Sequence, residues 1–523
     1  MNLIFTHVRT KNLHRELGIK YVGRNYSIGN PKKLLVAGSV ALNPDSFTEY
    51  VFAEGFREEY ETFSLKCDSF LPACFNSKKF LFNSDRLEKR FIERGQGATC
   101  GLCEARFDKY NQIFPFTPIV LSKYLTSDIV QMIHEILALD LSFEEIKSFK
   151  LEGINVGKHA YAGCVRYYAN PFIDREKFGK EMLNSFFEAG LKVFFAYKSV
   201  LKETCFDLVI VNHGIYVPQG IIAELSEQMN IKTLCFATGY RKNTFMVSKG
   251  KSYHFDIPKL VNFEAELYDY DRDKILDYLN DRMTGRNDWI LFHEKSTTTE
   301  DLLSSIIVNG KNNIVLFTNV LWDADVHFDE NFFPSMMDWL IQTIDYLHRF
   351  DSTNVIVRIH PGEKKGFVQS RLSLLDELKD RISLSVLRKL QIIDADEEIN
   401  SYDLAASADH IIIYGSKLAI ELAAMGYKVL VGGPSWTIGK GITIDPKTTE
   451  EYYGKLFEIA NNTFINLNEV DSEKALKFAY YIFFNRCLEV PIFKKKEGDP
   501  PLALIKSSIE SDDLLNVYNY MND

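Results

Sequence analysis

The sequence predicts an α/β protein of two Rossmann-like lobes facing a cleft, and three observations predict it. Apolar runs of strand length alternate with amphipathic stretches of helical length, the signature of parallel α/β architecture. The strands are apolar throughout, as expected when both faces of a sheet are covered. At 523 residues the chain exceeds what one compact core holds, so more than one domain is expected.

The second half shows the alternation best. Residues 312–320 (NNIVLFTNV) read as a strand, and 334–350 as a helix whose Pro334 suits the first turn, where its missing N–H is harmless. A strand at 354–360, a helix around 366–380, a short strand at 389–394 and a short helix at 400–408 follow. Then come a strand at 410–415, a helix at 416–426 closed by Gly426, a strand at 428–433 and a helix at 448–462. The first half repeats the style through strands at 32–38, 60–67, 192–198, 206–214 and 232–238. Between 262 and 300 the chain turns polar and aromatic. The reading is therefore an N-terminal Rossmann-like lobe (1–260), a helical connector (261–310), a C-terminal Rossmann-like lobe (311–490) and a tail (491–523) that packs back on the first lobe.

A formal charge of -10 argues against a dedicated nucleic-acid binder, whose footprint is basic. The N-terminus lacks a secretory pattern, and no apolar run approaches the ~18–20 residues that span a bilayer. The expectation is a cytoplasmic protein, with a peripheral contact at the inner membrane left open. Cys100 and Cys103 have the C-x2-C spacing of a zinc half-site that Cys67 and Cys74 would complete. Reduced structural thiols are the favoured reading, and no other metal site is expected.

Polar residues gather where the strands end. Trp322 and Asp323 follow the first strand of the second half, and Arg358, His360, Pro361 and Glu363 end the second. Tyr414, Gly415, Ser416 and Lys417 follow a third, and ligands of open parallel sheets bind at such carboxyl ends. The start of the 416–426 helix offers free N–H groups to phosphate, and Lys417 adds a charge. Glu421, on a helix that reads as buried, suits ribose hydroxyls. His360 serves as a phosphate donor or leaving-group acid. In the first half, His213 ends a strand and suits a general base or an acceptor contact, while Tyr216, Gln219, Tyr240 and Arg241 would line the donor or acceptor side.

These residues carry a resemblance. The segments VNHGIYVPQG (211–220), TGYRKNTFMVSKGKSYH (238–254), LFTNVLWDADVHF (316–328), VIVRIHPGE (355–363) and 411–443 resemble the bacterial capsule polysaccharide biosynthesis family of GT-B-type glycosyltransferases. The histidine-proline pair is similar to the one with which bacterial CMP-sugar transferases hold the donor phosphate. The resemblance implies a metal-independent transferase of hexosyl, Kdo or sialyl type. Its donor, CMP- or UDP-linked, would sit on the C-terminal lobe, and its acceptor, a capsule or other surface glycan that a lipid could carry, on the N-terminal lobe. Lys417 departs from the serine or threonine of many relatives. Three alternatives share the pattern: a sugar-nucleotide epimerase, a polyol-phosphate transferase, and a non-catalytic capsule assembly protein.

Overall fold

The computed structural model describes residues 31–43, 45–284, 300–322, 325–327, 332–366, 368–463, 471–494, 503–504 and 511–522. The described residues divide into two compact units, one within Met1–Tyr167, Phe172–Tyr253 and Cys487–Asp523, the other within Tyr168–Pro171 and His254–Arg486. Each is α/β with a sheet that is wholly or mainly parallel. Among the described residues, no helix is long and apolar enough to cross a membrane.

The first unit runs β1 (Lys32–Val36), α1 (Asp45–Glu54), β2 (Tyr60–Lys66), α2 (Ala98–Ile113), β3 (Thr117–Val120), α3 (Val156–Tyr168, whose last residue falls to the other unit), α4 (Gly179–Glu203), β4 (Leu208–Asn212), α5 (Gln219–Gln228), β5 (Lys232–Thr238) and β6 (Thr244–Lys249). Its seven-stranded sheet has the order β12-β6-β5-β4-β1-β2-β3, where β12 is Cys487–Glu489. Strands β12, β6 and β5 pair antiparallel and the rest parallel. Phe47, Tyr50, Phe52 and Phe56 project from α1 and the residues after it onto Leu34, Ile210, Leu234 and Phe236 of the sheet. Leu514, Val517 and Met521, within and just before the last helix (Leu515–Asn522), join the same core. Burying each such aromatic or aliphatic side chain is worth about 1.5–3 kcal/mol.

The second unit runs α6 (Arg272–Met283), β7 (Asn312–Phe317), α7 (Met336–Leu347), β8 (Thr353–Arg358), α8 (Leu374–Arg381), β9 (Gln391–Ile393), α9 (Ser401–Ser407), β10 (His410–Ile413), α10 (Leu418–Ala424), β11 (Val429–Val431) and α11 (Thr449–Ala460). The sheet is parallel throughout, with the order β11-β10-β7-β8-β9. Side-chain caps start the helices as the sequence dictates: Ser335 Oγ accepts the Asp338 N–H at 3.1 Å, and Thr448 Oγ1 that of Glu451 at 3.2 Å.

One strand expectation is corrected. Residues 192–198 lie inside α4. Val193, Ala196, Tyr197 and Val200 are among its buried positions, spaced three and four apart, so the period is helical once the window is widened. Of the stretch read as a connector, α6 belongs to the second unit and buries Ile275, Tyr278 and Leu279, while 285–299 lie outside the described residues.

The tightest packing in the second unit surrounds Trp339. Its Nε1 donates to the Tyr452 hydroxyl at 2.8 Å, and a Cβ on Gly432 would stand 1.9 Å from that nitrogen. Gly432→Ala should therefore force the buried indole off its rotamer and cost about 1–3 kcal/mol, read as a lowered urea midpoint with unchanged slope.

Candidate functional site

In the second unit, β8 and β9 lie on one side of β7, and β10 and β11 on the other. Such a reversal of strand order opens a crevice beyond the carboxyl ends of the sheet. Thr318 and Asn319, which leave β7 there, organise both neighbours. Thr318 Oγ1 accepts the His360 N–H at 3.0 Å and donates to the Arg358 carbonyl at 3.3 Å. Asn319 Nδ2 donates to the Gly415 carbonyl at 3.2 Å. His360 thus stands on the β8 side of one rim and Gly415 on the β10 side, about 10 Å apart by strand spacing. A small pocket between Asn319, Val320, Leu321, Met336, Tyr414, Gly415 and Pro434 opens on the β10 side.

The His360 ring has a fixed tautomer. Gly362 N–H donates to its Nδ1 at 3.0 Å, and a backbone amide has nothing else to offer, so the neutral ring carries its proton on Nε2. Gly362 has to be glycine, because a Cβ would come within 2.8 Å of Nδ1. Pro361 is buried and starts the short turn Gly362–Lys365. Glu363 is also buried; its Oε2 accepts the Leu374 N–H at 3.4 Å, and its Oε1 has no hydrogen-bond partner among the described residues. Burial pushes its carboxyl up to about 7.

On the β10 side Gly415 takes φ +61, and a Cβ would stand 2.7 Å from the Pro434 carbonyl oxygen, so glycine is required twice over. Ser416 Oγ accepts the Leu418 N–H at 3.3 Å, which leaves its own proton to give. Lys417 Nζ lies 3.5 Å from Glu421 Oε1.

Three assignments are corrected here. Glu421 is 1% exposed, and both of its oxygens are taken: Arg282 Nε donates to Oε1 at 3.0 Å and the Tyr402 hydroxyl to Oε2 at 2.7 Å. It is the centre of a buried ion pair, not a ribose acceptor. Burial alone would raise its carboxyl; Arg282, Lys417 and the Tyr402 hydroxyl outweigh that and hold it below the ordinary 4.5. Arg358 is 1% exposed and spends its guanidinium on the carbonyls of Asp394, Glu397 and Ile399, at 2.5, 3.3 and 3.1 Å, so it braces a loop and does not meet a ligand. Tyr414 belongs to the core, its ring 5.2 Å from that of Trp339. Arg282 and Tyr402 escaped the sequence reading because they stand far from Glu421 in sequence.

Trp322 is buried and donates through Nε1 to Ser370 Oγ at 2.9 Å, while Asp323 lies outside the described residues. In the first unit, His213 follows β4 with φ +64, its N–H bonded to the Phe236 carbonyl at 2.7 Å. Its ring lies 5.2 Å from Tyr216 and 5.6 Å from Phe75. Gln219 is buried and donates to Asn212 Oδ1 at 3.4 Å. Tyr240 is half-buried, and Arg241 donates to the Cys487 carbonyl at 3.2 Å, bracing β12. Cys67, Cys74, Cys100 and Cys103 line one pocket, but burial raises each thiol, Cys103 to about 12. Among the described residues, no group of three or more His, Cys, Asp or Glu is placed to hold a metal ion.

No protein-family model matches the chain, and no curated protein does. The solved structures similar to it include the beta Kdo 2,4 transferase KpsC of Thermosulfurimonas dismutans, 14% identical with a TM-score of 0.37 over 61% of this chain and 88% of that one. They also include the spinosyn rhamnosyltransferase SpnG, 8% identical with a TM-score of 0.27 over 86% and 95%. A third is the sucrose-phosphate synthase of Thermosynechococcus elongatus, 9% identical with a TM-score of 0.28 over 87% and 95%. Function has to be read from this chain's own residues.

Two acids give opposite pH dependences. Glu363 binds its proton more tightly folded than unfolded, so its contribution to stability is present below pH 4.5 and is lost as pH rises through about 7. Glu363→Gln should flatten that decline, a difference of up to about 3 kcal/mol above pH 7 in urea titrations. Glu421 is depressed, so its contribution is present above pH 4.5 and fades as pH falls below it. Glu421→Gln strands Arg282 without its charge partner and should cost about 3–5 kcal/mol by the same measurement at pH 7.

Proposed function

We propose that the protein is a glycosyltransferase that moves a sugar from a nucleotide-sugar donor to a glycan hydroxyl, with the donor phosphate held at the carboxyl rim of the second unit. The observation that carries the reading is the pairing, through Thr318 and Asn319, of a histidine whose Nε2 must bear the proton with the Gly415-Ser416-Lys417 turn. Both sides offer donors; the one carboxyl of the His360 loop, Glu363, is buried and pushed up to about 7 by that burial. Arg282 and Lys417 together carry two positive charges against the one negative charge of Glu421, which leaves one net positive charge at the turn. Lys417 is its exposed member, with 23% of its side chain open to solvent against 10% and 1% for the other two. That arrangement favours an anion such as phosphate.

In the reaction, the bond between the anomeric carbon and the donor phosphate oxygen breaks. The acceptor hydroxyl oxygen bonds to the same carbon and loses its proton. Negative charge grows on the departing phosphate, where Nε2–H of His360, the Ser416 hydroxyl and Lys417 stabilise it without a metal. The resemblance to capsule biosynthesis enzymes supports a surface glycan as acceptor, and the histidine-proline pair supports a CMP-linked donor over other nucleotides. His213, at the corresponding strand end of the first unit, is the group there suited to take the acceptor proton or to hold the acceptor.

His360→Ala should lower kcat by about 10²–10³-fold with the protein folded, since a removed oxyanion donor costs that much. The assay is release of free nucleotide from CMP-, UDP- and GDP-linked sugars in the presence of acceptor glycans. Turnover within three-fold of the parent by a folded variant would sink the assignment. Product analysis separates the rivals: an epimerase needs no acceptor, and polyol transfer leaves a phosphodiester.

A further inference from the structure

The first unit also reverses its strand order at β1, with β2 and β3 on one side and β4 on the other. On the β4 side the buried acid Glu49 of α1 accepts the Asn212 N–H at 2.7 Å, with the Asn43 and Gln219 amides beside it. On the β2 side four of the chain's eight cysteines line one small pocket. Cys67 follows directly on β2 and Cys74 lies in the loop after it, while Cys100 and Cys103 stand three apart on one face of α2. Cys74 is buried, the other three are half-buried, and all four are free thiols.

Cys74 is the hub of the four. It stands near enough to Cys67, Cys100 and Cys103 that a charge on its sulfur would oppose a charge on each of theirs. Gln96 joins two of them: its Nε2 donates to Cys74 Sγ at 3.2 Å, and its backbone hydrogen-bonds the Cys100 sulfur. The same pocket carries two buried polar atoms with no hydrogen-bond partner among the described residues, Gln96 Oε1 and Ser39 Oγ. Gln96 is 6% exposed and Ser39 2%. A thiol is a weak donor, so an amide oxygen left open beside two of them suits an O–H placed on sulfur. Among the described residues no three such groups are placed to hold a metal ion, which leaves the thiols to act in pairs.

We propose that Cys74 and Cys100 form a site of reversible oxidation, which a small hydroperoxide converts to a disulfide. Cys100, the more exposed of the two, attacks the terminal peroxide oxygen. The O–O bond breaks, the Cys100 proton leaves with the alcohol (water, for hydrogen peroxide), and Cys100 carries a sulfenic hydroxyl. That hydroxyl supplies the O–H that Gln96 Oε1 lacks. Cys74 then attacks the Cys100 sulfur: an S–S bond forms, the S–O bond breaks, and the hydroxyl leaves as water with the Cys74 proton. Two electrons have passed from the sulfurs to the peroxide. Burial holds both thiols above the ordinary 9.0, so thiolate is scarce at neutral pH and the site oxidises faster as pH rises. Phe75, beside Cys74, lies 5.6 Å from the His213 ring and 5.4 Å from that of Tyr216, and its N–H donates to the Val217 carbonyl at 3.0 Å. Drawing Cys74 toward α2 therefore pulls on the loop that carries His213. The coupling bears on the role proposed for His213, but its test uses neither donor nor acceptor, so the two can fail separately.

The test treats the full chain, purified under reductant, with hydrogen peroxide at pH 7 and at pH 8. Peptide mass mapping without reduction should find Cys74 linked to Cys100, and dithiothreitol should reverse the link. The link should form about ten-fold faster at pH 8, in proportion to the thiolate. Hydrogen exchange in the peptides around Phe75 and His213 should run at least about three-fold faster in the oxidised chain and recover on reduction. Cys100→Ser should abolish the link and the change in exchange with an unchanged circular dichroism spectrum, and Cys103→Ser should keep both. If Cys100→Ser does not fold, the map of the parent chain and Cys103→Ser decide. A link that omits Cys74 or Cys100, no link at either pH, exchange that ignores oxidation, or bound zinc that shields all four thiols would overturn the proposal.

Discussion

The constraint on which the second unit turns is that a parallel strand cannot satisfy its own carboxyl end. Beyond Phe317 the chain leaves the ladder, and Thr318 and Asn319 supply from their side chains the bonds the ladder no longer makes. One reaches the backbone of His360 and the other that of Gly415, so two loops from different strands are registered against a single dipeptide. Shifting β7 by one residue would turn both side chains to the opposite face and release both loops together. The rim is therefore a property of the sheet, and the chemistry of each loop is secondary to it.

Charge is placed by the same economy. Glu421 is deep enough that it needs a cation, and Arg282 from α6 provides one through Nε while the Tyr402 hydroxyl closes the other oxygen. Lys417 then becomes the surplus charge, and it is the one nearest solvent. A buried pair that is roughly neutral in net stability nonetheless fixes where the more exposed cation, Lys417, stands.

Much of the fold was legible in the sequence because parallel strands advertise themselves as apolar runs: β7, β10 and β11 stand inside the expected segments, and β8 begins one residue before its own. Residues 192–198 misled because Val193 to Tyr197 are apolar on consecutive positions, and only the flanking residues show the helical period. Within the site, residue type was legible and burial was not. His360, Gly415, Ser416 and Lys417 all stand at the carboxyl rim, yet Arg358, Tyr414 and Glu421 turn inward. Sequence spacing cannot separate these sets, because an arginine that braces three carbonyls reads the same as one that meets phosphate. Thr318, Asn319 and Asn212 were in plain view after apolar runs, and an acid inside DSFTEYVFAE was a signal for Glu49. A polar residue on an otherwise buried surface has to be bonded to something.

The two reversal points differ in a way that sequence position alone does not explain. In the second unit the strand ends present donors around a net positive charge; in the first they present an acid kept neutral by burial, with amides beside it. A phosphate would gain hydrogen bonds and charge at the former, while at the latter burial already holds Asp45 and Glu49 toward their neutral forms. One sheet plan, used twice, thereby carries different chemistry at its two reversal points, because the side chains that follow the last strand residues differ.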